Sequence, residues 1–442
     1  MVKVNEGVSI SFICHSLKGC NMGWERIGTF GKNMSLPVHR WFRYSAGYSA
    51  DWVKHVIKDF KENTGLEEVV VLDPYSGVGT TIIAAEEVGT RAIGIEAHSF
   101  IHRVAKCKTN CNVELEDLRR AANEVLSVGL SNPRITSESD TPDLLVKAYP
   151  EPETLHQLWG LIDALKQQSY SEEISELIEL AIICCVRPCS PVGTANWQYI
   201  LPNKRKSNPK DVATCFNAVV NQFCSDIETK KSNAQFGELA TPILGDCRDL
   251  HDVEDASIDL VITSPPYPNN FDYADATRLE LTFLGIVENW GGLHDAVRKN
   301  LMISSSQHAS KVKPDSQKDL ESILLAPIKD ELSNAYETLS EVRKDRGGKK
   351  HYHTMCVSYM LSIAQMIKEL DRVMKPTNCR ADIVIGDSAP YAVHLPVDKW
   401  ISTIASQYGF EISETHLRDR NVKWDNRVHK VLLKEVILTL SR

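Results

Sequence analysis

The chain has 442 residues, 43% of them hydrophobic, and a formal net charge of −8. That length exceeds one ordinary domain and can bury a large core, and the hydrophobic content argues against disorder. The acidic balance is not the usual footprint of a nucleic-acid binder, no apolar run approaches the roughly 20 residues that span a bilayer, and the N-terminus lacks the charged-then-apolar pattern of a signal peptide.

The first distinctive stretch is His39-Arg40-Trp41-Phe42-Arg43-Tyr44-Ser45-Ala46-Gly47-Tyr48-Ser49, an aromatic segment ahead of an amphipathic helix from Asp51 to Phe60. Glu68 to Asp73 reads as a strand, Pro74-Tyr75-Ser76-Gly77-Val78-Gly79-Thr80-Thr81 as a turn, and Ile82 to Val88 as a helix. Strand, glycine turn and helix form the layout that binds a nucleotide-like cofactor at the strand's carboxyl end. Gly77 and Gly79 permit a tight turn and close ligand approach. The next strand, Arg91 to Ile95, ends in Glu96, and an acid there can hold both ribose hydroxyls. The third glycine of the dinucleotide fingerprint is replaced by Ile82, which disfavours NAD and FAD.

Residues 113–239 read as mostly helical, with helices Leu155 to Leu165, Ser171 to Val186 and Val212 to Thr229. The loop Ser190 to Tyr199 carries an amide-aromatic set suited to base edges or stacking, or to burial of Trp197. A basic run follows, containing Lys204, Arg205 and Lys206. The twelve cysteines form no framework, and Cys107, Cys111, Cys184, Cys185 and Cys189 lie on apolar helices without a second ligand pair. No metal site is therefore expected, and reduced thiols suit the cytoplasm. Pro188-Cys189 follows an apolar helix rather than a core strand, unlike the nucleophile of C5-cytosine chemistry.

Ile243-Leu244-Gly245-Asp246-Cys247 precedes the apolar strand Ile258 to Ile262, which runs into Thr263-Ser264-Pro265-Pro266-Tyr267. Two prolines cannot continue a central strand, because each lacks an N–H and fixes φ. The strand must end there in a stiff loop that offers the Ser264 hydroxyl, proline carbonyls and an aromatic face. Residues 290–350 are polar, with a helix expected from about Asp315 to Val342 and a basic run holding Arg343, Lys344 and Arg346. Exposed basic loops near a cleft would contact phosphates and make binding salt-dependent. A helix from Tyr359 to Lys375, a strand from Ala381 to Ile385, and closing antiparallel strands Phe410 to Leu417 and Glu435 to Leu440 complete the reading.

Asp73-Pro74-Tyr75-Ser76-Gly77-Val78-Gly79-Thr80 together with Ser264-Pro265-Pro266-Tyr267 resembles the S-adenosylmethionine-dependent DNA amino-methyltransferases, which methylate the exocyclic amine of cytosine or adenine. Tyr75 stands where that family usually has phenylalanine. The resemblance implies an α/β, Rossmann-like class I methyltransferase fold with a mostly parallel seven-stranded sheet and helical insertions. It implies a catalytic part at residues 1–112 and 240–442, a helical insertion at 113–239 suited to target recognition, and a second insertion at 290–350. It implies cofactor contacts from Tyr44, Ser45, Asp73, Tyr75, Gly77, Gly79, Thr80, Glu96, Asp246 and Cys247. It also implies catalysis by Ser264, Pro265, Pro266 and Tyr267 on a base flipped from double-stranded DNA, with a partner restriction endonuclease as a further expectation. The serine form of the motif resembles the N4-cytosine enzymes more often than the N6-adenine ones. The order of the motifs here, cofactor before catalytic, departs from the order common among serine-type enzymes. N6-adenine, RNA amino-group and catalytically silent readings stay open.

Overall fold

The computed structural model describes residues 27–44, 47–194, 200–232, 239–269, 271–347, 350–421 and 432–442. Ser45 and the Ala195 to Tyr199 part of the expected base-reading loop lie outside the described residues.

Helix α1 (Ala50–Thr64) starts where the Ser49 hydroxyl accepts the Trp52 N–H and stops at Gly65, whose φ of 71° only glycine takes without strain. Strand β1 (Val70–Asp73), helix α2 (Thr80–Glu86), strand β2 (Arg91–Glu96) and helix α3 (Ser99–Thr109) follow as alternating β and α units. The chain then runs through helices α4 (Leu115–Ser131), α5 (Asp143–Ala148), α6 (Glu153–Gln167) and α7 (Glu172–Cys189). Next come a hairpin of β3 (Val192–Thr194) and β4 (Ile200–Arg205), and helix α8 (Val212–Lys231). It re-enters the main sheet with β5 (Ala240–Leu244) and β6 (Leu260–Thr263).

Short helices α9 (Tyr273–Ala276), α10 (Arg278–Phe283), α11 (Leu293–Ala296), α12 (Ser306–Val312) and α13 (Ser316–Leu320) lead to α14 (Lys329–Asp345) and α15 (Tyr352–Val373). Strand β7 (Arg380–Gly386), helix α16 (Val397–Ser406) and strands β8 (Glu411–Asn421) and β9 (Leu432–Ser441) close the chain. The single helix expected from Asp315 to Val342 is instead broken between α13 and α14. A 3₁₀ segment, Ile323–Ile328, carries Pro327, which has no N–H to continue an α-helical ladder. The basic run at Lys204 and Arg205, expected as a loop, is the end of β4.

The seven-stranded sheet has the order β5-β2-β1-β6-β7-β9-β8. The β5–β2, β2–β1, β1–β6 and β6–β7 pairs are parallel, whereas β9 runs antiparallel to both β7 and β8. Successive strand residues face opposite sides, so Val71, Leu260 and Ile262 join the core beneath α1 to α8, while Leu72 and Val261 join the core beneath α15 and α16. Strand order reverses between β1 and β6, and a crevice opens at such a switch point beyond the carboxyl ends of the strands.

The helical insertion is welded to the segment that precedes α1. Asp226 of α8 is buried and accepts the Val38 N–H (2.9 Å), Trp41 Nε1 (2.9 Å) and Arg40 Nε (3.0 Å), while Trp41 stacks on Phe223 at 4.2 Å. The first half of the aromatic segment thus docks on α8, leaving Tyr44 and Gly47 to reach the crevice.

Candidate active site

A cavity of about 270 Å³ occupies the switch point, lined from one side by Tyr44, Tyr75, Gly77, Glu96 and His98 and from the other by Ser264, Pro265, Pro266 and Tyr267. The two motifs, nearly 190 residues apart in the chain, are brought together because β1 and β6 are neighbours (Val71 opposite Leu260, Leu72 opposite Val261).

The glycine turn is shaped by its own backbone. Gly77 (φ 53°) and Gly79 (φ 86°) both sit in the left-handed region. The turn leans against β2 so closely that a Cβ on Gly94 would lie 2.7 Å from Ser76 Cβ. Glu96, closing β2, accepts the Gly77 N–H at 2.9 Å through one carboxylate oxygen and the His98 N–H at 2.7 Å through the other. Each oxygen keeps acceptor capacity toward the cavity. Burial outweighs these hydrogen bonds and pushes the Glu96 carboxyl up to about 7. His98 is buried, gives or receives one hydrogen bond with Thr277 Oγ1 (2.8 Å), and has no partner for Nδ1 among the described residues. Burial pulls its pKa down to about 3, so the ring is neutral. A left-handed glycine turn, an acid with spare lone pairs and a neutral ring nitrogen at the cavity wall fit a polar, ribose-bearing cofactor.

Of the expected cofactor contacts, Tyr44, Tyr75, Gly77 and Glu96 line the cavity. Asp73, Gly79, Thr80, Asp246 and Cys247 do not. Asp73 is buried under the turn, where it accepts from Tyr48 Oη (2.8 Å), Thr81 Oγ1 (2.6 Å), Thr263 Oγ1 (2.7 Å) and the Tyr75 N–H (3.0 Å). It is a hub that joins β1 to β6, and its carboxylate is occupied by the protein. Gly79 caps α2, and Thr80 is its first residue. The Asp246 carboxylate is held by Arg248 Nε at 2.9 Å and by the Arg248 N–H at 2.9 Å. Cys247 is buried, its thiol pushed up to about 12 by desolvation, and reaches the cavity wall only through Tyr75, which packs on the same cluster.

The Ser264–Tyr267 loop has neighbours that motif reading does not supply. The Tyr267 hydroxyl donates to Glu435 Oε1 (2.8 Å), and Arg420 Cζ stands 5.2 Å from its ring centroid. Asp272 caps α9 and binds Arg298 Nε at 3.0 Å and Nη2 at 2.6 Å, and Arg298 stacks on Trp290 at 4.1 Å. His308, neutral because burial holds its pKa near about 4, and Ser304 and Ser305 complete this wall. Asp272 follows the motif by a few residues and was findable by proximity; Glu435, Arg418 and Arg420 arrive only through strand pairing.

The expected nucleic-acid contacts divide. Lys206 Nζ binds the carbonyls of Arg187 (2.5 Å) and Ser190 (3.0 Å), and Arg205 pairs with Glu151 at 3.3 Å, while Lys204 is exposed on β4. Arg343, Lys344 and Arg346 sit at the C-terminal end of α14; Lys344 pairs with Glu341 (2.7 Å) and Arg346 lies 6.0 Å from the Tyr391 ring. Tyr391 meets Tyr352 edge-on at 4.9 Å. Among the described residues no group of histidine, cysteine or acidic side chains could hold a metal, and no helix is long and apolar enough to cross a membrane.

Residues 20–107, which include the glycine turn and Glu96, match the family model described as DNA methylase of the N6/N4 type. The chain is similar to the type II methyltransferase M.BsoBI of Geobacillus stearothermophilus, 25% identical over 87% of this chain and 81% of the relative. It is similarly related to the type II methyltransferase M.AvaI of Nostoc sp., 24% identical over 88% of this chain and 82% of that relative.

Proposed function

We propose that this chain, an S-adenosylmethionine-dependent amino-methyltransferase of the N4/N6 type acting on DNA, methylates N4 of cytosine within a specific duplex sequence. The observation that carries the reading is the single cavity shared by the Glu96 turn and the Ser264–Tyr267 loop. The cofactor, when held by Tyr44, Tyr75, Gly77, Glu96 and His98, supplies a methyl group on a sulfonium.

The remaining work belongs to the loop. An exocyclic amine is a poor nucleophile because its lone pair is delocalised into the base. Ser264 Oγ and the Pro265 carbonyl accept its two N–H bonds, which favours a tetrahedral nitrogen and restores the lone pair as charge develops. Tyr267 stacks on the base once it has left the duplex, since the amine cannot otherwise enter the cavity. Holding the amine in line with the methyl group carries much of the rate. The serine at position 264 supports cytosine over adenine.

Residues 113–239 and 290–350 are the proposed target-recognition regions, with Arg343, Lys344 and Arg346 as phosphate contacts. The names of the relatives support a role beside a partner restriction endonuclease.

The test is transfer from methyl-labelled S-adenosylmethionine to unmethylated duplex DNA, followed by digestion and mass identification of the nucleoside. N4-methylcytosine is expected, with Ser264→Ala lowering kcat at least about 100-fold while cofactor binding persists. N6-methyladenine would reassign the base, and label in RNA alone would overturn the DNA reading.

A further inference from the structure

Strand pairing aligns Gly386, Glu435 and Arg418 across the last three strands. In the β7–β9 register Gly386 lies opposite Glu435, and in the β8–β9 register Arg418 lies opposite the same Glu435. The β8 register shifts between His416 and Arg418, and such an irregularity re-aims a side chain; here it brings Arg418 Nε within 2.6 Å of Glu435 Oε2. Glu435 is 2% exposed, yet its carboxylate reaches the cavity wall, where Oε1 accepts the Tyr267 hydroxyl at 2.8 Å.

Two glycines make room for this arrangement. A Cβ on Gly28 would lie 2.7 Å from Glu435 Oε2, and a Cβ on Gly386 would lie 3.2 Å from Tyr267 Cε2 and collide with Arg420 Nη1. Arg420 is fixed in turn by the Asp387 carbonyl at 3.0 Å. A buried carboxylate is tolerated only when paired, and this one is paired with a guanidinium on one oxygen and a phenol on the other. Burial and the nearby Glu435 charge hold the Tyr267 phenol protonated, so it remains a donor.

We propose that Glu435 is a positioning residue for methyl transfer: from β9 it grips the Tyr267 hydroxyl and fixes the plane of the ring on which the target base stacks. The inference rests on the reading of Tyr267 as the stacking platform. A tyrosine ring on a loop otherwise swings about two side-chain torsions. Anchoring its far end removes that freedom before the base arrives, and misplacement of a reacting group by about 1 Å can cost about 100-fold in rate.

The test is a double-mutant cycle on the full-length protein with Glu435→Ala, Glu435→Gln and Tyr267→Phe, measuring kcat and KM for DNA methyl transfer, cofactor binding and melting temperature. Glu435→Ala and Tyr267→Phe should each lower kcat by about 10- to 100-fold with cofactor affinity unchanged. Glu435→Gln, which keeps an acceptor, should recover most of the rate, and the Glu435→Ala change should cost nothing further in the Tyr267→Phe background. A wild-type kcat in Tyr267→Phe, or equal losses from Glu435→Ala with and without the hydroxyl, overturns the proposal. If Glu435→Ala fails to bind cofactor because it does not fold, Tyr267→Phe and Glu435→Gln decide alone. Absence of transfer by the wild-type protein would instead sink the stacking role from which the inference starts, and is read separately in the wild-type lane.

Discussion

At the scale of single residues, Glu96 sets a pH dependence. Its folded pKa is raised to about 7 by burial, so near pH 6 much of it is protonated. A ligand whose hydroxyls donate to Glu96 binds the carboxylate form. Cofactor affinity should therefore rise by up to about tenfold per pH unit between about pH 5 and 7 and then level off, with Glu96 releasing a proton to solvent as the ligand binds. Calorimetry in buffers of different ionisation enthalpy checks this, and Glu96→Gln should flatten the profile. Legibility at this scale was uneven. The Ser264–Tyr267 loop and Glu96 could be named because their chemistry is local. Asp73 belongs to the same motif, yet its four hydrogen bonds turn inward, and only the packing of Tyr48, Thr81 and Thr263 around it reveals that.

At the scale of elements, the basic ends of β4 and α14 look alike as sequence and differ in structure. Lys206 is tied to two carbonyls that end α7, whereas Arg346 lies at the end of α14 beside Tyr391, and Arg343 is half-buried one turn earlier, facing His351 and His353. Ser306, which opens α12 next to the cavity residue Ser305, is hydrogen-bonded to Tyr352, which links the end of α14 through Tyr391 to the wall of the site. Replacing Arg343 and Arg346 by alanine should raise KM for DNA and reduce the slope of log affinity against log salt by about 2, with cofactor binding unchanged. Lys206→Ala should leave that slope alone and lower the melting temperature, since it exposes two buried acceptors. DNA titrations at several salt concentrations separate the two outcomes. Helix periods located α6, α7 and α8 closely, whereas α15 begins at Tyr352, seven residues before the expected Tyr359, because its first turns carry polar and histidine residues. The break at Pro327 was also present in the sequence, since a proline there forbids an unbroken helix from Asp315 to Val342.

At the scale of the whole molecule, two buried groups oppose each other in pH. Lys108 of α3 is 1% exposed, donates to the His39 carbonyl at 3.1 Å, and is lowered by burial from 10.5 to about 7. A depressed lysine contributes stability that is full above its unfolded pKa and is lost as pH falls through the folded value. Glu96, raised from 4.5 to about 7, contributes stability that is full below 4.5 and is lost as pH rises through 7. Together they predict a shallow minimum in stability near pH 7 for the cofactor-free protein. Lys108→Met should abolish the rise between about pH 7 and 10, and melting curves across that range test it. A Lys108→Met protein that still gains stability over the same range would refute the assignment.

The sequence by itself determined the α/β class, the glycine turn after β1, the proline loop after β6 and most helices, because each rests on neighbours in the chain: alternation along β1 and β6, left-handed glycines, prolines that stop a strand. The tertiary structure alone decided which charged groups meet that loop. Glu435 lies 168 residues from Tyr267, and their contact exists because β9 pairs with β7 in one particular register and β8 shifts its own to aim Arg418 at the same carboxylate. No local pattern encodes a register between strands so distant, since it is set by the packing of the whole sheet.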